Sequence, residues 1–284
     1  MAIESLSLLK SDGTKLLLAE KTKTLSEHIS KNLISSKLQN KDLSGTPDAG
    51  TIIARRFANL DVEDYGTANK EQKGKQAKLL DVDIKIDIRK ELITEVENSD
   101  IKFAGIDNFL KRLTEKHEES IGSYLEDLFF DIAAKEAEKK NVIKYKDSDK
   151  IEDVAEALIQ GVETTKTKLV NGVKRNYIAL VVSPHVYGKL RTYIDKIKGT
   201  DDEEFFVYHG VEIYSSVYLP KGVDGIAMRK GAVARPVWIK SVPPTKPTYL
   251  DSVVLGHFLY GGCKVIDPEL IYTLKKDTTS GASA

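Results

Sequence analysis

The sequence is short of several things at once. It has one cysteine, Cys263, so no disulfide can form within a chain. A reducing compartment is compatible with that count and is not required by it. Lysine plus arginine and aspartate plus glutamate number 43 each, so the net formal charge is zero. No basicity points to nucleic acid, and no acidity points to a solvating tail. No apolar run approaches the roughly 20 residues of a membrane span. Leu8–Leu9 and Leu16–Leu18 are split by Lys10, Asp12 and Lys15, which is not a signal-peptide pattern. Internal repeats and low-complexity tracts are absent. So are the Gly-x-x-x-x-Gly-Lys phosphate loop, Gly-x-Gly-x-x-Gly, His-Glu-x-x-His and the Gly-x-Ser-x-Gly elbow.

What remains is a chain of 284 residues, long enough to bury a real core in one large domain or two smaller ones. Charged residues make up 30% against 41% hydrophobic, so much of the surface must carry both signs. Such a surface suits packing against copies of itself, and an ordinary solvated surface fits the composition equally well. The dominant element is the stretch Ile106 to Lys140. At helical spacing, Ile106, Leu110, Leu113, His117, Ile121, Tyr124, Leu128 and Ile132 share one face. A second row, Leu125, Phe129 and Ala133, widens it. Lys111, Arg112, Glu115, Glu118, Glu119, Asp127 and Asp131 lie opposite. Asp107 suits the helix start, and Lys139–Lys140 suit its end. Unbroken, the helix would be roughly 50 Å long, which fits a coiled-coil arm or a spine bearing a sheet. Gly122, which costs roughly 1 kcal/mol against Ala, is a candidate bend.

Before this helix, residues 1–50 read as an arm. Thr24-Leu-Ser-Glu27 is a capping box opening a short amphipathic segment through Leu25, Ile29, Leu33 and Leu38. Leu43 to Gly50 reads as a linker. Thr51 to Phe57 is a short strand, residues 59–78 are almost devoid of large apolar residues, and Leu80 to Ile88 alternates apolar with charged. Together these make a protruding hairpin with no core of its own. After the long helix, 141–150 is a polar joint and Ile151 to Thr164 is an amphipathic helix on Val154, Leu158 and Val162. Lys166 to Asn176 is a loop or hairpin around Asn171–Gly172. Tyr177 to Val182 reads as a buried strand. Ser183–Pro184 opens a helix through Val186, Leu190, Tyr193 and Ile197 that stops at Gly199. An acidic loop, 201–204, leads to a hairpin from Phe205 to Val217 turning at His209–Gly210. Strands then follow at 226–229, 233–240, 252–260, 263–266 and 271–274, with a proline loop at Pro243–Pro244 and Pro247. The tail from Thr278 is expected to be disordered.

Candidate chemistry has a plainer account at each place. Histidines 28, 117, 185, 209 and 257 show no metal-ligand spacing. His117, on the apolar helical face, reads as a core or interface residue. Ser183 beside His185 is better explained as a helix cap than as a nucleophile. Asp81, Asp83 and Asp87 could suggest a cation site, but Lys85 in the same row fits a charged outer face. Lys70, Lys73, Lys75 and Lys78 have only Tyr65 as an aromatic neighbour, which is weak for single-strand binding. A solvated loop, or one docking on acidic patches of a neighbour, suits them better. No metal and no cofactor is expected.

The order of parts is more telling than any motif. Leu80 to Leu92 precede the spine helix. Leu180-Val-Val-Ser-Pro-His-Val-Tyr-Gly-Lys-Leu190 joins a strand to a capped helix. Gly210-Val-Glu-Ile, Met228-Arg-Lys-Gly-Ala232 and Tyr260-Gly-Gly-Cys-Lys-Val-Ile-Asp-Pro-Glu269 follow. This arrangement resembles the major capsid proteins of tailed bacteriophages, with the Hong Kong 97-type shell fold. The resemblance implies an α+β fold of four parts. Residues 1–50 would be an N-terminal arm and 51–92 an extended β-hairpin loop. Residues 93–140 with 225–284 would form a peripheral domain, and 141–224 an axial domain. It further implies a non-enzymatic protein of the virion, assembled in the host cytoplasm into pentamers and hexamers around double-stranded DNA. Lys70, Lys73, Lys75, Lys78, Leu113 and Leu128 become the assembly residues to examine. Replacing Leu113 or Leu128 with Asp should abolish soluble subunit, whereas Glu118→Lys should at most alter assembly.

Two departures matter. Only about 50 residues precede the loop, so a separate scaffold protein is expected, with portal and possible decoration proteins as further partners and no membrane. Some relatives crosslink a loop lysine to an asparagine of the peripheral domain, but no asparagine follows Asn176 here. An encapsulin-like nanocompartment shell is the nearest rival. An enzyme or ligand-binding protein with an unrecognised site in 151–220 is the rival from another class.

Overall fold

The structure is a computed structural model that describes residues 32–45, 50–58, 79–97, 106–167, 169–198, 207–245 and 252–277. The capping box at Thr24–Glu27, the lysine-bearing segment 59–78, the acidic loop 201–204, Gly199 and the tail 278–284 lie outside these residues. The chain divides into two compact units. One is built from Met1–Lys37, Ile86–Glu126 and Pro236–Gly262, and the other from Leu38–Lys85, Asp127–Arg235 and Cys263–Ala284.

The first unit holds a three-stranded antiparallel sheet and most of the long helix. Strand β4 (Ile88–Glu97) and strand β11 (Val237–Thr245) flank β12 (Ser252–Gly261). The helix, α2, spans Ile106–Glu136, ending four residues before the predicted Lys140. Ile121 and Leu125 bury against Leu259, with Leu33, Leu92, Val237 and Ile239 around them. This part of the spine therefore rests on β4, β12 and β11. β4 escaped prediction because Arg89, Lys90, Glu91 and Glu95 are exposed and mask its apolar positions. Pro243–Pro244, expected in a loop, lie within β11, where the register shifts between Val242 and Thr245. Proline lacks the ladder donor, so an edge strand with a bulge is where it fits. Gly122 is there for contact: a Cβ would come 3.3 Å from the Leu33 side chain.

The second unit centres on a six-stranded mixed sheet in the order β5-β14-β9-β6-β8-β7. Its strands are β5 (Val142–Tyr145), β14 (Ile271–Lys276), β9 (Gly225–Arg229), β6 (Ile178–Val182), β8 (Val211–Ser215) and β7 (Val207–Tyr208). β6 is buried at every position, as its unbroken apolar sequence requires. Helix α3 (Ile151–Thr164) buries Val154, Leu158, Ile159 and Val162, and α4 (Pro184–Lys198) buries Val186 and Leu190, in the same core. β5 was expected to be a polar joint; its parallel pairing with β14, far along the chain, makes it a strand. β9 and β14 belong to this sheet with β6, so they pack with the 141–224 module and not with the spine's sheet. His209 and Gly210 turn β7 into β8 with φ of 48° and 85°, the left-handed pair of a tight hairpin.

A smaller sheet completes this unit: β1 (Leu43–Ser44), β2 (Thr51–Phe57) and β3 (Leu79–Lys85), antiparallel throughout. β1 replaces part of the expected linker. The predicted strand from Leu80 to Ile88 breaks after Lys85, and Ile88 begins β4. Beside this sheet, β10 (Val233–Ala234) pairs with β13 (Lys264–Val265). Among the described residues no helix is long and apolar enough to cross a membrane.

Candidate assembly surfaces

The β2–β3 hairpin has a buried root and an exposed outer end. Ile52 pairs with Ile84 and Ala54 with Val82, and Ala54 and Ile84 join Ala234 and Ile266 in an apolar cluster. Next along the same row comes Arg56, whose side chain is only 14% exposed. Its Nε lies 2.6 Å from Asp267 Oδ1, and its Nη2 donates to Glu269 Oε1. Burial pushes the Asp267 carboxyl up, while Arg56 and then Arg229 pull it back. Further out, Leu79 and Leu80 are 45% and 48% exposed. Asp81, Asp83 and Asp87 all face solvent; Asp81 approaches Arg55 at 4.0 Å, and Asp83 offers its carbonyl to Lys264. That is a charged outer face, as Lys85 suggested. The four candidate lysines 70, 73, 75 and 78 lie outside the described residues.

Along the spine, the buried row is not quite the one periodicity favours. Leu113 and Leu128 are half-buried. The positions with little or no exposure are His117, Ile121 and Leu125 in the first unit and Phe129, Phe130 and Ala133 in the second. Glu126 is buried too, at 2% exposure. Its Oε1 accepts the Ser35 N–H at 2.9 Å and the Ser35 hydroxyl at 2.6 Å. This fixes the start of the short helix α1 (Ile34–Leu38) to the spine. His117 hydrogen-bonds Thr94 of β4 at 2.8 Å through Nε2 and meets the His257 ring edge-on at 4.9 Å. Burial lowers both imidazoles, His257 to about 4 with a further push from His117.

The opposite face of the β4–β12–β11 sheet carries apolar surface. Ile93 is 52% and Tyr260 39% exposed, on rows that alternate with the helix-facing Leu92 and Leu259. Sequence reasoning missed Ile93 because β4 was unassigned. It missed Arg56 because a lone arginine in a short strand carries no motif. Ser183 is a cap: its Oγ accepts from the Val186 N–H at 3.5 Å, and its carbonyl accepts from Tyr187 at 2.9 Å. His185 is exposed. Among the described residues no group of His, Cys, Asp and Glu could hold a metal ion. Burial pushes the Cys263 thiol up to about 12, which leaves it a poor nucleophile.

No family model matches the sequence, and no curated protein does. Solved structures do share its fold. The capsid structure of the cyanophage P-SCSP1u matches with a TM-score of 0.62 at 15% identity, over 86% of this chain and 88% of that one. The mature capsid of bacteriophage PhiM1 matches with a TM-score of 0.52 at 14% identity, over 85% and 84%. A virus-like particle from Pyrococcus furiosus matches with a TM-score of 0.55 at 13% identity, over 89% and 96%. The chain thus has the α+β capsid fold of tailed phages, the Hong Kong 97-type fold that the order of its parts resembles. At these identities the likeness is one of fold.

Proposed function

We propose that this chain is the major head protein of a tailed bacteriophage, a structural protein of the virion without catalytic activity. Copies assemble in the host cytoplasm into pentamers and hexamers that close an icosahedral shell around double-stranded DNA. The observation that carries this reading is the capsid fold over most of the chain, in phage particles from several sources. The exposed leucines of the β2–β3 hairpin agree with it. Apolar residues on a projecting hairpin are a liability in a monomer and are satisfied under a neighbouring copy. In this reading residues 1–50 form the arm and the β2–β3 hairpin the extended loop, the spine with β4, β11 and β12 belongs to the peripheral part, and the six-stranded sheet with α3 and α4 belongs to the axial part. Scaffold, portal and decoration proteins are its partners, and its DNA contacts are non-specific and weaken with salt.

The likeness to a virus-like particle supports a second reading, an encapsulin-like shell that encloses protein cargo. Electron microscopy of the concentrated protein, with nucleic acid assayed in the particles, tests both. Closed shells holding DNA support the head protein, and shells holding protein alone support the second reading. A stable monomer on gel filtration that binds a metabolite would reject both in favour of a ligand site in 151–220.

A further inference from the structure

Alternate residues of a strand share a side, so Ile52, Ala54 and Arg56 of β2 point the same way. Ile52 and Ala54 are 3% and 0% exposed. The row calls for a third hydrophobe, yet the residue is a largely buried arginine. Across the ladder, Ile84 opposite Ile52 is fully buried, whereas Leu80 opposite Arg56 is 48% exposed. Arg56 therefore stands where the hairpin passes from anchored to solvent-facing.

The anchor has a built geometry. Asp267 and Glu269, two residues apart, converge on one guanidinium and are 8% and 7% exposed. Both are held in turn. The Asp267 N–H donates to the Ala232 carbonyl at 3.1 Å, and Asn141 donates to the carbonyls of Glu269 and Ile271 at 3.0 and 3.2 Å. Arg229 adds a more distant cation, its Nη1 4.0 Å from Asp267 Oδ2. A planar fork gripped through Nε and Nη2 resists rotation in a way an ammonium cannot. The neighbouring contacts among Ala54, Ile84, Ala234 and Ile266 are non-directional and would tolerate a swing.

We infer that Arg56 is the positioning residue that fixes the direction in which the β2–β3 hairpin leaves its unit, and that this direction governs whether copies close into a shell. The second half rests on the shell-forming reading; the first does not. Removing one partner of a buried ion cluster strands a charge, whereas neutralising all partners is often tolerated. The discriminating variant is therefore the triple Arg56→Met, Asp267→Asn, Glu269→Gln, beside Arg56→Lys, which keeps the charge and loses the fork.

The test uses the full chain with Cys263→Ser and spin labels at Asp81→Cys on the hairpin and Lys189→Cys on α4. Distance distributions, thermal midpoints and particle counts by electron microscopy are read together. The parent should give one narrow distance peak and closed shells. Both variants should broaden the peak, and the triple should keep the parent's melting while closed shells fall at least tenfold. A narrow peak in both variants overturns the positioning role. A broad peak with undiminished closed shells overturns the link to assembly. If the parent itself forms no shells, the shell-forming reading fails, and the distance peak still decides what Arg56 does. If the triple does not fold, Arg56→Lys decides by the same peak.

Discussion

His117 stands on a helical face where an aliphatic residue would suffice. Its burial was legible from periodicity; its partner His257, on a strand far along the chain, was not. Two neutral imidazoles edge to edge are comfortable, but protonation would place charge in a half-dry site between helix and sheet. Thr94 hydrogen-bonds one ring, and Lys90 lies on the same face of β4 with its ammonium 5.8 Å from the centre of the Tyr124 ring. Both histidines are held below the ordinary imidazole value of 6.5, His257 at about 4. Above about pH 6.5 they are neutral in both states and stability is unaffected. As pH falls from there toward 4, the unfolded chain takes up protons that the fold refuses, and stability is lost. With allowance for partial exposure, the loss from His257 should be about 1–2 kcal/mol. Urea unfolding of the parent and of His257→Gln at pH 7, 6, 5 and 4 checks this. The gap between them should change across that window in favour of the variant; parallel pH profiles would refute it.

At the scale of elements, the long helix illustrates how far periodicity reaches. The 3.6-residue repeat identified one broad apolar side, yet it could not rank rows within it. Leu113 and Leu128 fall in the favoured row and are half-buried, while Leu125 in the second row is 2% exposed. What shifts the centre is tertiary: Leu259, Leu92 and Leu33 meet Ile121 and Leu125, and Glu126 turns inward to bind Ser35. Leu125→Ala should therefore cost about 2–5 kcal/mol of stability, clearly more than Leu113→Ala or Leu128→Ala. Chemical unfolding of the three variants checks the ranking; equal losses would mean that the favoured row is the buried one after all. β4 and β5 were missed for a related reason. Their strand character comes from partners distant in sequence, β12 and β14, and local alternation is blurred by charged side chains.

For the whole molecule, the shell-forming reading makes stability a property of many modest contacts multiplied by symmetry, without a covalent net. No asparagine follows Asn176 to accept a loop lysine. Boiling assembled particles in detergent should give a single band at 31.6 kDa, and a ladder of covalent oligomers would contradict the expectation. The zero net charge suits the same design. Self-repulsion between copies is small, and mixed-sign surfaces can find complementary partners at short range.

By itself the sequence determined the elements with strong local codes. These are the spine helix, α3 with its clean stripe, the Ser183–Pro184 helix start, the His209–Gly210 turn and the all-apolar β6. In these, spacing and backbone preference act within a few residues, so they can be read without a partner. The order of those parts also carried the resemblance to a capsid fold, although no motif did. Only the tertiary structure decided which sheet the spine lies on, that β9 and β14 join β6, and that Arg56 meets Asp267 and Glu269. Those choices depend on pairing and ion contacts between residues from tens to more than two hundred positions apart, where local spacing holds no information about the partner.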